Sequence, residues 1–206
     1  MKQQRVRIGI FASGNGSNAQ VLIDSFQDST CVDVVAVFCN RFGAYVCERA
    51  ALSGIPCVTF DNTQAKDSHF LLEKLSQHQI HLIVLAGYLR LIPKEVVQKF
   101  HGKIVNVHPA LLPKFGGEGM YGQKVHEAVL AAHEPVTGVT FHIVTPIYDQ
   151  GPILFQAEVP ITYPTTTTEI AEKIQKLEHQ YFPKVVRTLA KPIFQQLNVN
   201  LDGKTH

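Results

Sequence analysis

Short apolar segments alternate with segments of helical periodicity through the first half of the chain, and this alternation constrains the fold more than any other feature. Such a spacing is typical of βαβ units, in which helices connect parallel strands. Because the apolar segments are uninterrupted, helices should cover both faces of the sheet. The predicted strands are residues 6–11, 32–38, 57–60, 81–86 and 104–108, and the predicted helices are residues 17–26, residues 44–53, one capped by Ser68 and a short one starting near Pro93.

The second half of the chain contains two further predicted strands and a helix. Residues 139–144 and 153–159 should form a hairpin or a neighbouring pair around a loop. Thr166 and Glu169 fit a capping box at the start of the helix. Pro183 should kink or end this helix, because proline lacks the N–H that an inner turn requires.

No feature of the composition divides the chain into several domains. No stretch is rich enough in Gly, Ser or Pro to act as a linker, and the tail after Pro192 is polar and expected to be loosely ordered. The hydrophobic share of 45% is too high for a disordered chain. We therefore predict one α/β domain over residues 1–206, built on an open, mostly parallel twisted sheet with helices on both faces.

Charge and hydropathy argue against two classes of partner. The formal net charge is +2 and no block of basic residues is present, so nucleic acid is not expected as a partner. No apolar run reaches the roughly 18 residues of a membrane helix, so no membrane association is expected.

The four cysteines favour a reducing compartment. Cys31, Cys39, Cys47 and Cys57 form no CxxC pair and lie in apolar surroundings. We expect reduced thiols rather than a disulfide framework or a zinc site. Because no secretory leader pattern is present either, the sequence predicts a cytoplasmic location.

A glycine-rich turn, residues 13–18 (SGNGSN), follows the first strand and opens the first helix. Glycine permits close backbone approach, and a helix N-terminus offers free N–H groups to an anion. We therefore predict a phosphate site at this turn rather than a plain strand-to-helix connection. Gly16, Ser17 and Asn18 are the residues that would hold the phosphate.

An NADP-binding module remains an alternative interpretation of the same turn. Gly14-x-Gly16-x-x-Ala19 matches the dinucleotide fingerprint, which also requires an acid at the end of the second strand. This chain has Asn40 and Arg41 there, and arginine suits a 2′-phosphate. A monophosphate would need no acid at that position.

Polar residues at the end of the strand 104–108 form the candidate catalytic group. Asn106 and His108 are two apart, so they share one face of the strand. An amide beside an imidazole can stabilise an oxyanion, and imidazole can also move protons near neutral pH. Asp149 is a candidate anion for orienting an imidazolium, although turn aspartates are common and the spacing alone does not bring it to His108.

No metal site is expected. His126 and His133 are seven apart in a probable helix and lack the HExxH spacing, and none of the ten histidines belongs to a recognisable metal set. A GxSxG elbow and a P-loop lysine motif are also absent from the sequence.

Four motifs, in this order, resemble those of the phosphoribosylglycinamide formyltransferases, which are folate-dependent enzymes of purine synthesis. The resemblance extends from about residue 6 to about residue 186. The Asn-x-His-Pro-x-Leu-Leu-Pro run is specific to folate formyltransferases and their relatives, and the glycine-rich turn narrows the choice further. The motifs are residues 13–18 (SGNGSN), 85–92 (LAGYLRLI), 106–114 (NVHPALLPK) and 149–152 (DQGP).

The resemblance implies a Rossmann-like formyltransferase fold and transfer of the formyl group of 10-formyltetrahydrofolate, without a metal, to the amine of 5-phosphoribosylglycinamide. We expect a phosphate-binding half at about 1–100, a catalytic and folate-binding half at about 101–190, and a monomer or homodimer with small-molecule partners only. The implied roles are catalysis by Asn106, His108 and Asp149, ribotide binding by Gly16, Ser17, Asn18, Gln175 and Glu178, and folate binding by Leu89, Arg90, Leu91, Ile92 and Asn106.

Two segments depart from the family pattern. Residues 115–122, after Lys114, form a longer and more glycine-rich loop than is usual, and its four glycines around Tyr121 suggest a flexible flap over the ribotide. Relatives often carry an arginine near residues 66–70 that touches the folate. This chain has Lys66 and His69 in that stretch, and neither is assigned a role.

Other enzymes of formyl groups are the remaining alternatives. Methionyl-tRNA formyltransferase shares the Asn-x-His-Pro run but normally adds a C-terminal RNA-binding domain and lacks the SGNGSN turn. Formyltetrahydrofolate deformylase uses water as the nucleophile and typically begins with a regulatory domain. Formate release without ribotide would identify a deformylase-like hydrolase.

Overall fold

The computed structural model describes the backbone of residues 3–202 and the side chains of residues 3–199. A seven-stranded sheet in the order β3-β2-β1-β4-β5-β6-β7 forms its centre. The neighbours from β3 to β5 are parallel, whereas β6 and β7 are each antiparallel to the strand before them. The prediction of an open, mostly parallel sheet is therefore confirmed. The strands are β1 (Val6–Ala12), β2 (Val32–Cys39), β3 (Cys57–Thr59), β4 (Leu82–Leu85), β5 (Ile104–His108), β6 (Val136–Ile143) and β7 (Ile153–Pro160).

Helices cover both faces of the sheet. Successive residues of a strand point to opposite faces, so each strand contributes side chains to both layers. Ile8 and Ile10 of β1 belong to one buried cluster, which α1, α2 and α6 complete. Phe11 belongs to the cluster on the other face, with side chains from α3 and α4, and its ring stacks on Phe38 at 4.7 Å between centroids. The helices are α1 (Ser17–Phe26), α2 (Tyr45–Leu52), α3 (Ser68–Gln77), α4 (Lys94–Lys99), α5 (Gln123–Ala131) and α6 (Thr167–Asp202).

The N-termini of two helices test the predicted caps. The capping box of α6 is confirmed, since Glu169 N–H donates to Thr166 Oγ1 (3.2 Å) and Thr166 N–H donates to Glu169 Oε2 (3.0 Å). Ser68 is not the cap of α3. Asp67 occupies that position, and its Oδ1 accepts from the N–H groups two and three residues later. The carboxylate accepts both bonds at once, which leaves Ser68 as the first helical residue.

The predictions that α6 ends at Pro183 and that the segment after Pro192 is loosely ordered are wrong, while a kink at Pro183, the other alternative, stays a prediction. Pro183 and Pro192 lie inside a helix of 36 residues, so Pro183 does not end it and the polar segment after Pro192 is helical as far as the description extends. Burial explains the continuation, because Phe182 and Ile193 pack into the sheet cluster on either side of the second proline. Residues 203–206 of the predicted tail lie outside the described residues.

Cys47 and Cys57 form a disulfide, so the expectation of four reduced thiols is also wrong. The turn between α2 and β3 folds back on itself and brings the two Cα atoms to 5.4 Å, a distance typical of disulfides. Cys31 and Cys39 are free. The argument from reduced cysteines to a cytoplasmic location therefore rests on Cys31 and Cys39 alone.

The long α6 carries charged residues along its length, and such residues are unfavourable in a helix that crosses a membrane. Among the helices within residues 3–202, none combines the length and the apolar composition needed to cross a bilayer.

Candidate active site

Three of the sequence motifs meet at one edge of the sheet. Strands β1, β4 and β5 are neighbours and parallel, so their carboxyl ends lie side by side, where open α/β sheets bind ligands. A cavity of about 380 Å³ opens at this edge. Of the residues assigned from the sequence, those that line it are Asn18, Leu89, Arg90, Leu91, Ile92, Asn106, His108, Asp149, Gln175 and Glu178. Gly16 and Ser17 are the two that do not.

His108 lies buried at the end of β5 between two oxygen atoms. Its Nε2 is 2.8 Å from the carbonyl oxygen of Phe115, and its Nδ1 is 3.5 Å from Oδ2 of Asp149. A carbonyl oxygen can only accept, so Nε2 carries a proton. The other nitrogen then faces a carboxylate, and a second proton at Nδ1 would make an ion pair there.

Two opposing effects set the protonation of His108. Burial lowers the pKa below its ordinary value of 6.5, and this effect is the largest. The charge of Asp149 and the Phe115 carbonyl raise the pKa of His108, which limits the lowering. The ring is therefore neutral at rest near pH 7, and negative charge arriving beside it would favour the imidazolium.

Asp149 is the aspartate of the loop between β6 and β7, and the fold brings it to His108. Burial alone would raise the pKa of Asp149, but the adjacent His142 ring, a hydrogen bond from Gly117 N–H and attraction to the His108 ring hold it below its usual value. The Gly117 N–H donates to Oδ2 at 2.9 Å. Asp149 also adopts φ 53, a left-handed conformation that Asp tolerates better than most residues.

His142 is a site residue that the sequence reasoning missed. It lies on β6 directly opposite Asn106, and its Nε2 is 3.1 Å from Asn106 Nδ2 and 3.5 Å from Asp149 Oδ1. Its Nδ1 donates to the carbonyl oxygen of Ile143 at 3.1 Å, so in the neutral ring Nε2 accepts from the Asn106 amide. A histidine near the end of a predicted strand, just before the loop with Asp149, was the available signal.

The glycine-rich loop 115–122 is part of the cavity wall. Gly117, Gly119, Met120, Tyr121 and Gly122 line the cavity. The backbone of the same loop contacts His108 and Asp149 through Phe115 and Gly117. These contacts put the loop beside the catalytic group, while its role as a flap stays a prediction.

The glycine-rich turn 13–18 has the conformation that its sequence predicts. Gly16 has φ 77, and a Cβ there would collide with the side chain of Val46 on α2. Long-range bonds join the turn to α6, since Gln175 Nε2 donates to Ser17 Oγ (3.1 Å) and Asn18 Nδ2 donates to Glu178 Oε2 (2.7 Å). The four side chains thus form one group between the two elements.

One polar atom of this group lacks a partner, and one carboxyl has a raised pKa. The Oδ1 atom of Asn18 is buried and makes no hydrogen bond. Burial raises the pKa of the Glu178 carboxyl, although the bond from Asn18 lowers it. Such groups are costly to bury without a partner, so a polar ligand here would satisfy them.

The segment after β4 forms the opposite side of the cavity. Ile92 is buried, whereas Leu89 and Leu91 are about two-fifths exposed, at 44% and 41%. Two exposed leucines on the cavity wall provide an apolar surface that suits a flat ring system.

Metal ligands are not grouped anywhere in the part of the chain that the structure describes. No three or more His, Cys, Asp or Glu side chains within residues 3–202 come together as a metal site. His126 lies on α5 and is buried, and His133 falls just after that helix, so the two do not share a helical face.

Comparison with known proteins decides the family. The family model described as formyl transferase matches residues 6–186. A phosphoribosylglycinamide formyltransferase of Bacillus subtilis (strain 168) is 35% identical over 89% of this chain and 94% of its own. This chain belongs to the phosphoribosylglycinamide formyltransferase family.

Two further relatives agree with this assignment. A chloroplastic phosphoribosylglycinamide formyltransferase of Arabidopsis thaliana is 37% identical over 91% of this chain, which spans 66% of that relative's length. The crystal structure of glycinamide ribonucleotide transformylase 1 from Symbiobacterium toebii matches with a TM-score of 0.84 and 32% identity, over 91% of this chain and 89% of that one. The Rossmann-like formyltransferase fold implied by the motifs is thereby confirmed.

Proposed function

We propose that this chain transfers the formyl group of 10-formyltetrahydrofolate to the amine of 5-phosphoribosylglycinamide, a step of purine (IMP) biosynthesis. The observation that carries the proposal is the polar group of Asn106, His108, His142 and Asp149 at the cavity, in which each histidine lies 3.5 Å from Asp149 and Asn106 lies 3.1 Å from His142. This group lies between a turn suited to phosphate and an apolar wall suited to a folate ring. The names of the relatives support the same reaction.

The ribotide binds at the turn and α6 in this proposal. The helix N-terminus at Gly16, Ser17 and Asn18 holds the phosphate through backbone N–H groups. Gln175 and Glu178 contact the rest of the ribotide. Their existing bonds to Ser17 and Asn18 support this assignment, because a ligand at the turn would lie within reach of both.

The formyl folate binds along residues 89–92. The side chains of Leu89, Leu91 and Ile92 line the folate pocket, with Arg90 at its polar end and Asn106 near the formyl group. The folate is a co-substrate, and the proposed reaction needs no metal. Holding both reactants in line supplies much of the rate acceleration.

The chemistry begins with direct attack of the glycinamide amine on the formyl carbon. The tetrahedral intermediate carries an oxyanion, which accepts from His108 Nε2–H and from the Asn106 amide. Its charge raises the pKa of His108, and Asp149 stabilises the imidazolium that forms. The proton that the amine loses reaches the leaving folate nitrogen through His108 or a water molecule.

The Phe115 carbonyl occupies the donor that this mechanism requires. In the structure this carbonyl oxygen accepts from His108 Nε2–H at 2.8 Å. In the proposed mechanism the formyl oxygen accepts from the same N–H. The start of the loop 115–122 therefore shifts when the formyl folate binds. The flap over the ribotide is proposed for the same loop, because its glycines line the same cavity.

Neither alternative is favoured by the comparisons, whose named relatives are formyltransferases. The deciding experiment follows the absorbance of folate deformylation with and without glycinamide ribotide. We expect folate product only when both substrates are present. Formate release without ribotide would instead identify a hydrolase, and nucleotide binding without folate binding would identify an NADP module.

Organisation and location complete the proposal. Residues 1–100 contribute mainly the phosphate site and residues 101–190 mainly the catalytic group, within one domain. The chain acts as a monomer or homodimer in the cytoplasm. Light scattering of the purified protein and cell fractionation test these two statements.

A further inference from the structure

A chain of side-chain hydrogen bonds runs from the phosphate turn to the folate segment. Ser13 Oγ is 2.6 Å from Asn40 Oδ1, and Asn40 Nδ2 is 3.1 Å from Asn62 Oδ1. The same Asn62 oxygen accepts from Arg90 Nε at 3.0 Å. The relay closes on the folate segment, because Leu89 N–H donates to Ser13 Oγ at 2.9 Å.

The relay lies in a place where polar groups need their partners. Ser13 is 1% exposed and Asn40 is 5% exposed. The loss of a hydrogen bond by a buried amide or hydroxyl costs folding free energy, so these bonds are maintained in the folded chain. Ser13 N–H also donates to Gly87 O at 3.0 Å, which adds a backbone bond at the same junction.

The direction of every bond in the relay is fixed by its two ends. Arg90 Nε can only donate, so the atom of Asn62 that meets it is an acceptor. Asn40 must then present its NH₂ to that oxygen and its own oxygen to Ser13. The Ser13 hydroxyl therefore donates to Asn40, and its lone pair receives the N–H of Leu89.

We propose that Ser13, Asn40 and Asn62 are positioning residues for formyl transfer, which hold Leu89 and Arg90 in place for the folate and join this segment to the ribotide turn. The inference rests on the proposed function, since it assigns the folate to residues 89–92. It also gives Asn40 a role of its own at the end of β2, where a dinucleotide-binding chain would carry an acid for the ribose.

The fixed direction provides a matched pair of variants. Asn40→Asp replaces the amide donor that residue 40 presents to Asn62 Oδ1 with an acceptor, so the relay breaks between these two residues. Asn62→Asp makes the same chemical change but keeps the single oxygen that accepts from Asn40 and Arg90. The two variants differ in the relay while they share the added charge. Asn62→Leu serves as a third variant, because Asn62 is exposed and its loss carries little risk for folding.

The affinity of each variant for a non-transferable formyl-folate analogue is measured by calorimetry, with the ribotide affinity and the thermal unfolding midpoint alongside. We expect Asn40→Asp to weaken folate binding about tenfold, the scale of a lost hydrogen bond to a buried group. The loss of folate affinity in Asn62→Asp should be at least about fivefold smaller than the loss in Asn40→Asp. Asn62→Leu should weaken folate binding more than Asn62→Asp, with an unfolding midpoint close to wild type.

The outcomes separate this inference from the proposed function. Equal folate affinities for Asn40→Asp and Asn62→Asp would overturn the relay while the function stands. If Asn40→Asp fails to fold, the comparison of Asn62→Leu with Asn62→Asp decides, and equal affinities there would again overturn it. A wild-type chain that binds ribotide but no folate would overturn the proposed function, and the relay's role with it.

Discussion

Asp149 is the residue at which charge and shape can be separated. Asparagine keeps its size, can still accept from Gly117 N–H, and tolerates the left-handed φ of 53. What is lost is the negative charge, which faces His108 Nδ1 and His142 Nε2 at 3.5 Å each. For Asp149→Asn we therefore expect kcat to fall roughly 10²–10³-fold, as when one electrostatic stabiliser is removed, with little change in either KM. Steady-state kinetics with both substrates test this, and normal turnover would contradict the role.

The proposed catalytic residues could be predicted from the sequence only where a strand connects them. Asn106 and His108 are two apart on β5, so alternation alone indicates that they share a face. Asp149 was a candidate anion from its residue type, but its place beside His108 came only from the family resemblance, because that approach depends on how the loop after β6 returns over the sheet. His142 was missed for the same reason, since the pairing of β6 with β5 makes it a neighbour of Asn106.

At the scale of elements, the turn between β1 and α1 contains two glycines whose substitution by alanine is expected to have different effects. A Cβ at Gly16 would collide with Val46, and the φ of 77 is unfavourable for alanine. A Cβ at Gly14 would meet nothing within 4 Å. We expect Gly16→Ala to raise the KM for ribotide more than about tenfold, because the N–H groups of the turn would move, and Gly14→Ala to raise it far less.

Initial rates at varied ribotide concentration, with folate saturating, give the ribotide KM of each of the two variants. The folate KM and the thermal unfolding midpoint serve as controls for a general loss of structure. Equal effects of the two substitutions on the ribotide KM would show that the close contact of Gly16 with α2 does not shape the phosphate site.

The predictability of an element depends on whether its limits are set locally. The limits of α1 and β5 follow from a glycine turn and from an apolar run, and both elements begin and end at the predicted residues. The continuation of α6 past two prolines depends instead on burial of Phe182 and Ile193 against the sheet, which outweighs the helix-breaking tendency of proline. The disulfide of Cys47 likewise depends on where β3 returns beside α2.

At the scale of the whole molecule, the sheet order places the two proposed substrates at one edge, although their residues come from both halves of the chain. Residues 89–92 belong to the first half and contact the cavity from β4, while Gln175 and Glu178 reach it from α6. The alternation of strands and helices predicts this edge, because parallel strands share one carboxyl end. It does not predict where α6 packs, because the contacts of α6 with β1 and β5 are long-range.

Histidines make the stability of the molecule depend on pH in one direction. Burial lowers the pKa of five of them below 6.5, so the unfolded chain binds protons more readily than the folded one. Their contribution is fully present above pH 6.5 and is lost as pH falls from there towards the lower folded values. The lowered pKa of Asp149 acts in the same direction, but only as pH falls below about 3.9. The five residues are His78, His81, His108, His126 and His179.

One buried carboxyl opposes this trend in a different pH range. The raised pKa of Glu178 means that its folded form holds a proton above 4.5, so its contribution declines as pH rises through the folded value. Urea denaturation at pH 7.5, 6.5 and 5.5 measures the balance. We expect the midpoint to fall at each step with an unchanged slope, because five groups outweigh one. A midpoint that stays level or rises on acidification would contradict the net direction expected from the lowered pKa values of the five histidines.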